Sequence, residues 1–279
     1  MGGYDYCKLG ECLPNFVSKE SLVSEYDPKK GTYELYPEHV NFSHDRTCNV
    51  ACITCRDSII VNNNEEVEKL DSLIEPFFLP MLKNAKTAGV NGIGEVFASK
   101  HSIKLVRKII EAFPKMKFTI ISNGILCNEK NCIDIYGDIE KIVHIDFSIH
   151  AATKETYQKI VKNGNFEKCM ENLEWVSLIK RQGFIKSASM VFVIHSLNYH
   201  EMKLFLEKAI SLDITAMFWC YWSWGTDMSK DFSKYSVWNS EHPEYKNFID
   251  LLKHPIFEDD HCRMTDDLNN LRKLAKCIN

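Results

Sequence analysis

Cys48, Cys52 and Cys55 fall within eight residues, in the run Arg46-Thr47-Cys48-Asn49-Val50-Ala51-Cys52-Ile53-Thr54-Cys55-Arg56. Thiolates are soft donors suited to zinc or to iron-sulfur clusters, and one loop can wrap three of them around a metal centre at this spacing. A closed structural zinc site takes four protein ligands, often as two pairs. No second pair with matching spacing follows here. Three protein ligands leave a metal centre one open position, which metal-based catalysis requires. The competing reading is a structural zinc loop completed by His44 or a distant cysteine.

The chain has 279 residues and 11 cysteines. That odd count, behind an N-terminus (Met1-Gly2-Gly3-Tyr4-Asp5) without the charged and apolar regions of a secretory signal, argues for a cytoplasmic protein without a disulfide framework. No apolar run approaches the roughly 20 residues that span a bilayer, so no membrane partner is expected. Apolar residues make up 45% and charged residues 26% of the chain, the balance of a soluble globular protein with a large core. The formal net charge is −4, with Lys and Arg interspersed among Asp and Glu. No basic stripe forms, and nucleic acid is not implied as a partner.

The elements that must position the thiolates follow a βα rhythm. Short runs rich in Val, Ile, Phe and aromatics predict strands over His39 to Asp45, Gly92 to Ala98, Lys117 to Ser122, Ile142 to Ile149, Ala188 to His195 and Thr215 to Trp222. Between them, amphipathic patterns predict helices over Glu65 to Ala88, His101 to Ala112, Thr153 to Arg181 and Asn198 to Ser211. Such alternation predicts an α/β fold around a parallel sheet. Six βα units are too few for a closed eight-stranded barrel, so the expected fold is a partial (β/α)6 barrel, with a doubly wound open sheet as the alternative. The expected organisation is an irregular, Cys-bearing lead-in over residues 1–36, the partial barrel over 37–228 and a C-terminal extension over 229–279. The triplet then sits just after the first strand, at the barrel's C-terminal mouth.

The Cys-x3-Cys-x2-Cys spacing in that position resembles the signature of the radical S-adenosylmethionine (SAM) superfamily. The resemblance implies a 4Fe-4S cluster held by Cys48, Cys52 and Cys55, whose fourth iron binds the amino and carboxylate groups of SAM. It also implies reductive cleavage of SAM to a 5′-deoxyadenosyl radical that abstracts hydrogen from a substrate. Gly92-Ile93-Gly94-Glu95 resembles the family's Gly-Gly-Glu segment, which implies that Gly92 and Gly94 allow close backbone approach and that Glu95 holds the methionyl ammonium. Asn123, in Ser122-Asn123-Gly124, and Ser148, in Asp146-Phe147-Ser148-Ile149-His150-Ala151, stand where relatives place polar contacts to the methionyl and ribose groups. His150 faces the expected cofactor, and Tyr221, Trp222 and Trp224 are candidates to pack around adenosine or substrate, or in the core.

Phe97-Ala98-Ser99-Lys100-His101-Ser102, Gly164-Asn165-Phe166, Asn172-Leu173 and Trp224-Gly225-Thr226 extend the likeness to the SPASM-related subgroup, from about Cys7 to Pro255. Two positions depart from the pattern. Thr54 replaces the aromatic residue that many members carry before the third cysteine. Val161-Lys162 stands where an Arg is expected, making Lys162 the substitute cation for the methionyl carboxylate, without Arg's bidentate fork.

Cys7 and Cys12 resemble the segment by which SPASM-related proteins hold an additional cluster, which implies a possible second iron-sulfur cluster completed by Cys262, with Cys277, Cys127 and Cys132 as rivals. Cys169 and Cys220 fall within helix and strand patterns and are expected in the core. The resemblance further implies a reductant such as flavodoxin or ferredoxin and a peptide or other small-molecule substrate. The alternative is a non-enzymatic zinc or iron-sulfur scaffold or electron carrier.

Overall fold

The computed structural model describes residues 37–90, 93–223 and 225–277, together with the backbone of two short antiparallel strands, Tyr26–Asp27 and Thr32–Tyr33. Cys7, Cys12, Gly92 and Trp224 lie outside the described residues.

Seven strands form one sheet: β1 (His39–Asn41), β2 (Thr87–Gly89), β3 (Lys117–Ser122), β4 (Ile142–Ser148), β5 (Ser187–Ile194), β6 (Thr215–Cys220) and β7 (Cys262–Met264). Every neighbouring pair is parallel, and the spatial order is the chain order. A doubly wound sheet reverses its strand order at a switch point. Strictly sequential order, with right-handed crossovers, instead puts all helices on one side and curls the sheet towards a barrel. The partial barrel is therefore the architecture. Its seventh parallel strand comes from the segment expected as an extension.

The main helices are α1 (Asn64–Asp71), α2 (Lys100–Ala112), α3 (Glu129–Tyr136), α4 (Lys154–Ile160), α5 (Phe166–Arg181), α6 (Met202–Ser211), α7 (Tyr245–Leu252) and α8 (Asp266–Cys277). Local chemistry sets their starts. Asn63 and Glu66 form a capping box at α1, and Ser99, Asn128, Thr153 and Asn165 each accept a backbone N–H at the helix they open. The sheet's convex face is closed by aromatic packing. Phe192 of β5 lies 4.8 Å from Phe205 of α6 and 5.7 Å from Phe218 of β6, between ring centroids. Each such ring is fully buried, contributing about 1.5–3 kcal/mol of hydrophobic stabilisation. Among the described residues no helix is long and apolar enough to cross a membrane.

Three expectations shift. The helix expected over Glu65 to Ala88 breaks after α1 into a π turn at Ile74–Phe78 and a single turn at Leu79–Met81. Pro76 and Pro80 remove the donors a continuous helix needs. The second strand is Thr87–Gly89, upstream of the predicted Gly92 to Ala98; Val96–Ala98 is a 3-10 turn opening α2. The long helix expected over Thr153 to Arg181 is two helices, separated by an extended pair at Val161–Lys162. There Asn163 turns left-handed at φ 60°, and a Cβ on Gly164 would meet Tyr157 Cε1 at 2.6 Å, so the chain cannot continue as helix past this point.

Candidate functional site

The interruption after α4 bears directly on the cysteines. Val161 and Lys162 pair antiparallel with Cys52 and Ala51, and Ile53 N–H donates to the Ile160 carbonyl at 3.0 Å. The cysteine loop is thus clamped from one side by backbone. On the other, Cys48 bridges to Ile60, its N–H donating at 2.9 Å. Lys162 itself is exposed. Strand alternation turns Val161 inward and Lys162 out, where its charge reaches Asp227. Lys162 does not line the cysteine cavity.

One cavity of about 130 Å³ gathers most of the nominated residues. Its lining includes Cys48, Cys52 and Cys55, Gly94 and Glu95 after β2, Asn123 after β3 and Ser148 at the end of β4. The thiols are near enough to repel one another's ionisation. Burial first, then the neighbouring Cys48 and Cys55, pushes the Cys52 thiol up to about 12, and burial likewise raises Cys48. A metal centre reverses this, because it takes cysteine as thiolate. Among the described residues no three His, Cys, Asp or Glu side chains are grouped as a site for a single metal ion.

Arg56, which sequence reasoning left aside, is buried on the same wall. Its guanidinium donates to the Arg46 carbonyl at 2.5 Å, to the Ile93 carbonyl, and to Cys55 Sγ at 3.5 Å. This fixed cation stabilises thiolates beside it. Its position immediately after the third cysteine was the available signal. Asp45 is the second organiser. Its buried carboxylate accepts from Thr47 N–H at 2.8 Å, Asn62 at 3.0 Å, Ser102 at 3.2 Å and the Ser99 hydroxyl, joining the loop to the start of α2. Beside it, His44 and His101 share a 2.7 Å contact, with Asp71 2.7 Å from the far nitrogen of His101.

Gly94 is required by close approach, but to the cysteine loop. A Cβ there would lie 2.3 Å from the Asp45 carbonyl oxygen and 2.7 Å from that of Thr47. Its neighbour Glu95 donates its N–H to the Thr47 carbonyl at 2.8 Å. Because the obstacle is backbone, Gly94→Ala should displace the loop and cost on the order of 1–3 kcal/mol. Thermal unfolding should show a lowered Tm together with lowered metal loading, and a variant that melts with the parent would contradict this packing.

The Glu95 carboxylate is buried and accepts from Asn123 N–H at 2.8 Å, Phe97 N–H at 3.3 Å and Ser122 Oγ at 3.0 Å. Burial pushes its pKa up to about 7, against the lowering effect of those donors. Asn123 ties this segment to the thiols, with Nδ2 2.8 Å from Asn49 Oδ1 and 3.8 Å from Cys48 Sγ. Gly124 follows at φ 82°, where Asn172 of α5 donates to its carbonyl at 2.7 Å and Cys169 packs beneath. His150 also lines the cavity, with a left-handed backbone at φ 61°. Its Nδ1 accepts the Val193 N–H at 3.1 Å, and burial lowers its pKa to about 4, so the ring stays neutral.

The remaining cysteines lie elsewhere. Cys262 is in register with the fully buried Ala216, on the helix-covered side of the sheet. Cys127 and Cys132 are fully buried, with sulfurs 3.9 Å apart, and Cys277 is exposed at the end of α8. Cys169 is core, while Cys220 is half-buried at the end of β6. Tyr221 is buried, its hydroxyl 2.8 Å from Ser229 Oγ, whereas Trp222 is 68% exposed.

No protein-family model matches the sequence, and no curated protein matches it. Solved structures do share the fold. SuiB of Streptococcus suis bound to S-adenosylmethionine superposes with a TM-score of 0.53 at 11% identity, over 82% of this chain and 50% of that one. SuiB bound to its precursor peptide SuiA gives 0.56 at 12%, over 88% and 52%. Methylornithine synthase (PylB) gives 0.50 at 13%, over 85% and 68%. The chain spans about half the length of SuiB.

Proposed function

We propose that this chain is a radical SAM enzyme, in which Cys48, Cys52 and Cys55 hold a 4Fe-4S cluster. The observation that carries this reading is the shared cavity: thiols from the loop after β1 meet polar groups from the ends of β2, β3 and β4. Its agreement in fold with SAM-bound SuiB supports the same reading. When bound, the cluster and SAM together supply one-electron cleavage of the sulfonium and a 5′-deoxyadenosyl radical able to abstract hydrogen from carbon.

The chain's own residues bind and orient. The three thiolates take three irons and leave one for the cofactor's amino and carboxylate groups. Glu95 accepts a hydrogen bond from an N–H of the cofactor's amino group, and Arg56 is a fixed cation beside the thiolates. Asn123 and Ser148 offer further polar contacts. By analogy with peptide-bound SuiB, the substrate class we favour is a peptide, and a flavodoxin or ferredoxin is the class of reductant the chemistry needs.

Anaerobic reconstitution with iron and sulfide tests the assignment. The protein should turn brown, with broad visible absorption and about four irons per chain, as one cubane requires. A colourless protein loaded with zinc would overturn it. About eight irons would show a second cluster, and Cys7→Ala with Cys12→Ala should then lower the count to about four.

A further inference from the structure

Barrel interiors are ordinarily filled by branched apolar side chains. In β4, period-two alternation sends Ile145 and Phe147, both fully buried, to the helix side and leaves His144, Asp146 and Ser148 on the concave face. His144 Nε2 lies 2.9 Å from Asp146 Oδ1, and its Nδ1 lies 2.7 Å from Ser187 Oγ on β5. Ser189 donates to the same Asp146 oxygen. The side chains of His144 and Asp146 keep 28% and 18% of their exposure, so solvent and ligands reach them. Burial works against protonating His144, but the hydrogen bond and charge of Asp146 prevail and hold its pKa above the ordinary value.

The couple has a direction. Asp146 stands two residues below Ser148, about 6–7 Å along the strand, and opposite Ile121 of β3; both Ser148 and Ile121 line the cysteine cavity. Along the strand, Asp146 stands one step nearer that cavity than His144. Around the approach, register places Ile121 beside Asp146, and Val191 and Met217 level with Ser148. These apolar neighbours suit a hydrocarbon chain and strengthen a charge-assisted hydrogen bond at its end. An ion pair in this setting adds little to stability, which leaves recognition as its use.

We propose that Asp146, whose Oδ1 is shared with His144 and Ser189, forms a substrate subsite for a primary alkylammonium group. The nitrogen donates to Asp146 Oδ2, and the alkyl chain runs past Ile121, Val191 and Met217 towards the cavity, presenting its carbons to the radical. This assignment rests on the radical SAM reading for its chemistry, but not for its binding.

The test is ligand-observed NMR titration of the full chain, without cluster or SAM, using n-pentylamine, n-pentanol and pentanoate as probes. The amine should bind about tenfold or more tightly than the alcohol, as a hydrogen bond to a charged group predicts, and pentanoate more weakly still. Asp146→Asn should erase the preference. His144→Gln, which removes the imidazole competing for Asp146, should tighten amine binding. Equal affinity for amine and alcohol, or a preference that survives Asp146→Asn, would overturn the subsite. Should Asp146→Asn not fold, His144→Gln decides: unchanged amine affinity overturns it. Because no cofactor is present, failure here is distinct from failure to cleave SAM.

Discussion

Replacing Cys48, Cys52 and Cys55 together with Ala should leave a folded protein that takes up no catalytic cluster and forms no 5′-deoxyadenosine. The loss is complete because each thiolate supplies a corner of one centre, so the effects of removing them are not additive. Folding should survive. The loop is held by backbone pairs, Cys48 to Ile60 and Ala51–Cys52 to Val161–Lys162, and by the Asp45 network, none of which uses sulfur. Absorption after reconstitution and circular dichroism of the same sample separate loss of the cluster from loss of structure. Cofactor cleavage undiminished in the triple variant would move the chemistry away from this loop.

Glu95→Gln should weaken SAM binding by roughly tenfold or more, the worth of a charge-assisted hydrogen bond of about 1.5–3 kcal/mol, with iron content preserved. The pH dependence carries a sign. Burial raises the Glu95 pKa to about 7, so below that pH the carboxyl is neutral and accepts only weakly from the cofactor's amino N–H. Affinity in the parent should rise with pH through 7 and level off above it, while the Gln variant should lack this rise. Linkage gives the opposite slope for folding. Between the unfolded value of 4.5 and about 7 the folded state binds the extra proton, so this group's contribution to stability falls as pH rises through that window. Calorimetric titration at several pH values checks the first statement. Identical profiles for parent and variant would assign Glu95 to loop structure alone.

Much of this arrangement was legible because it is local. The cysteine spacing and the strands Lys117–Ser122 and Thr215–Cys220 are written in short runs of sequence. The second strand was misplaced because Thr87-Ala88-Gly89 carries little β propensity, while Ile93 to Ala98 looks strand-like yet is drawn into the loop by the approach of Gly94 to Asp45 and Thr47. The helix expected to run through Lys162 breaks there, and only Gly164 and the left-handed Asn163 signal the break. Arg56 and Asp45 act through partners more than 30 residues away, Ile93 and Ser99 among them, and no periodicity encodes such contacts. β7 is three residues long and remote from the βα rhythm; its pairing with β6 is a tertiary choice.

The account stands on the claim that the cysteine cavity cleaves SAM reductively. The direct measurement is chromatographic detection of 5′-deoxyadenosine after anaerobic reconstitution, dithionite reduction and addition of SAM, with no substrate required. The account predicts that 5′-deoxyadenosine accumulates over hours in the parent and is absent when dithionite is omitted. A fully loaded, reduced protein that leaves SAM intact would contradict it.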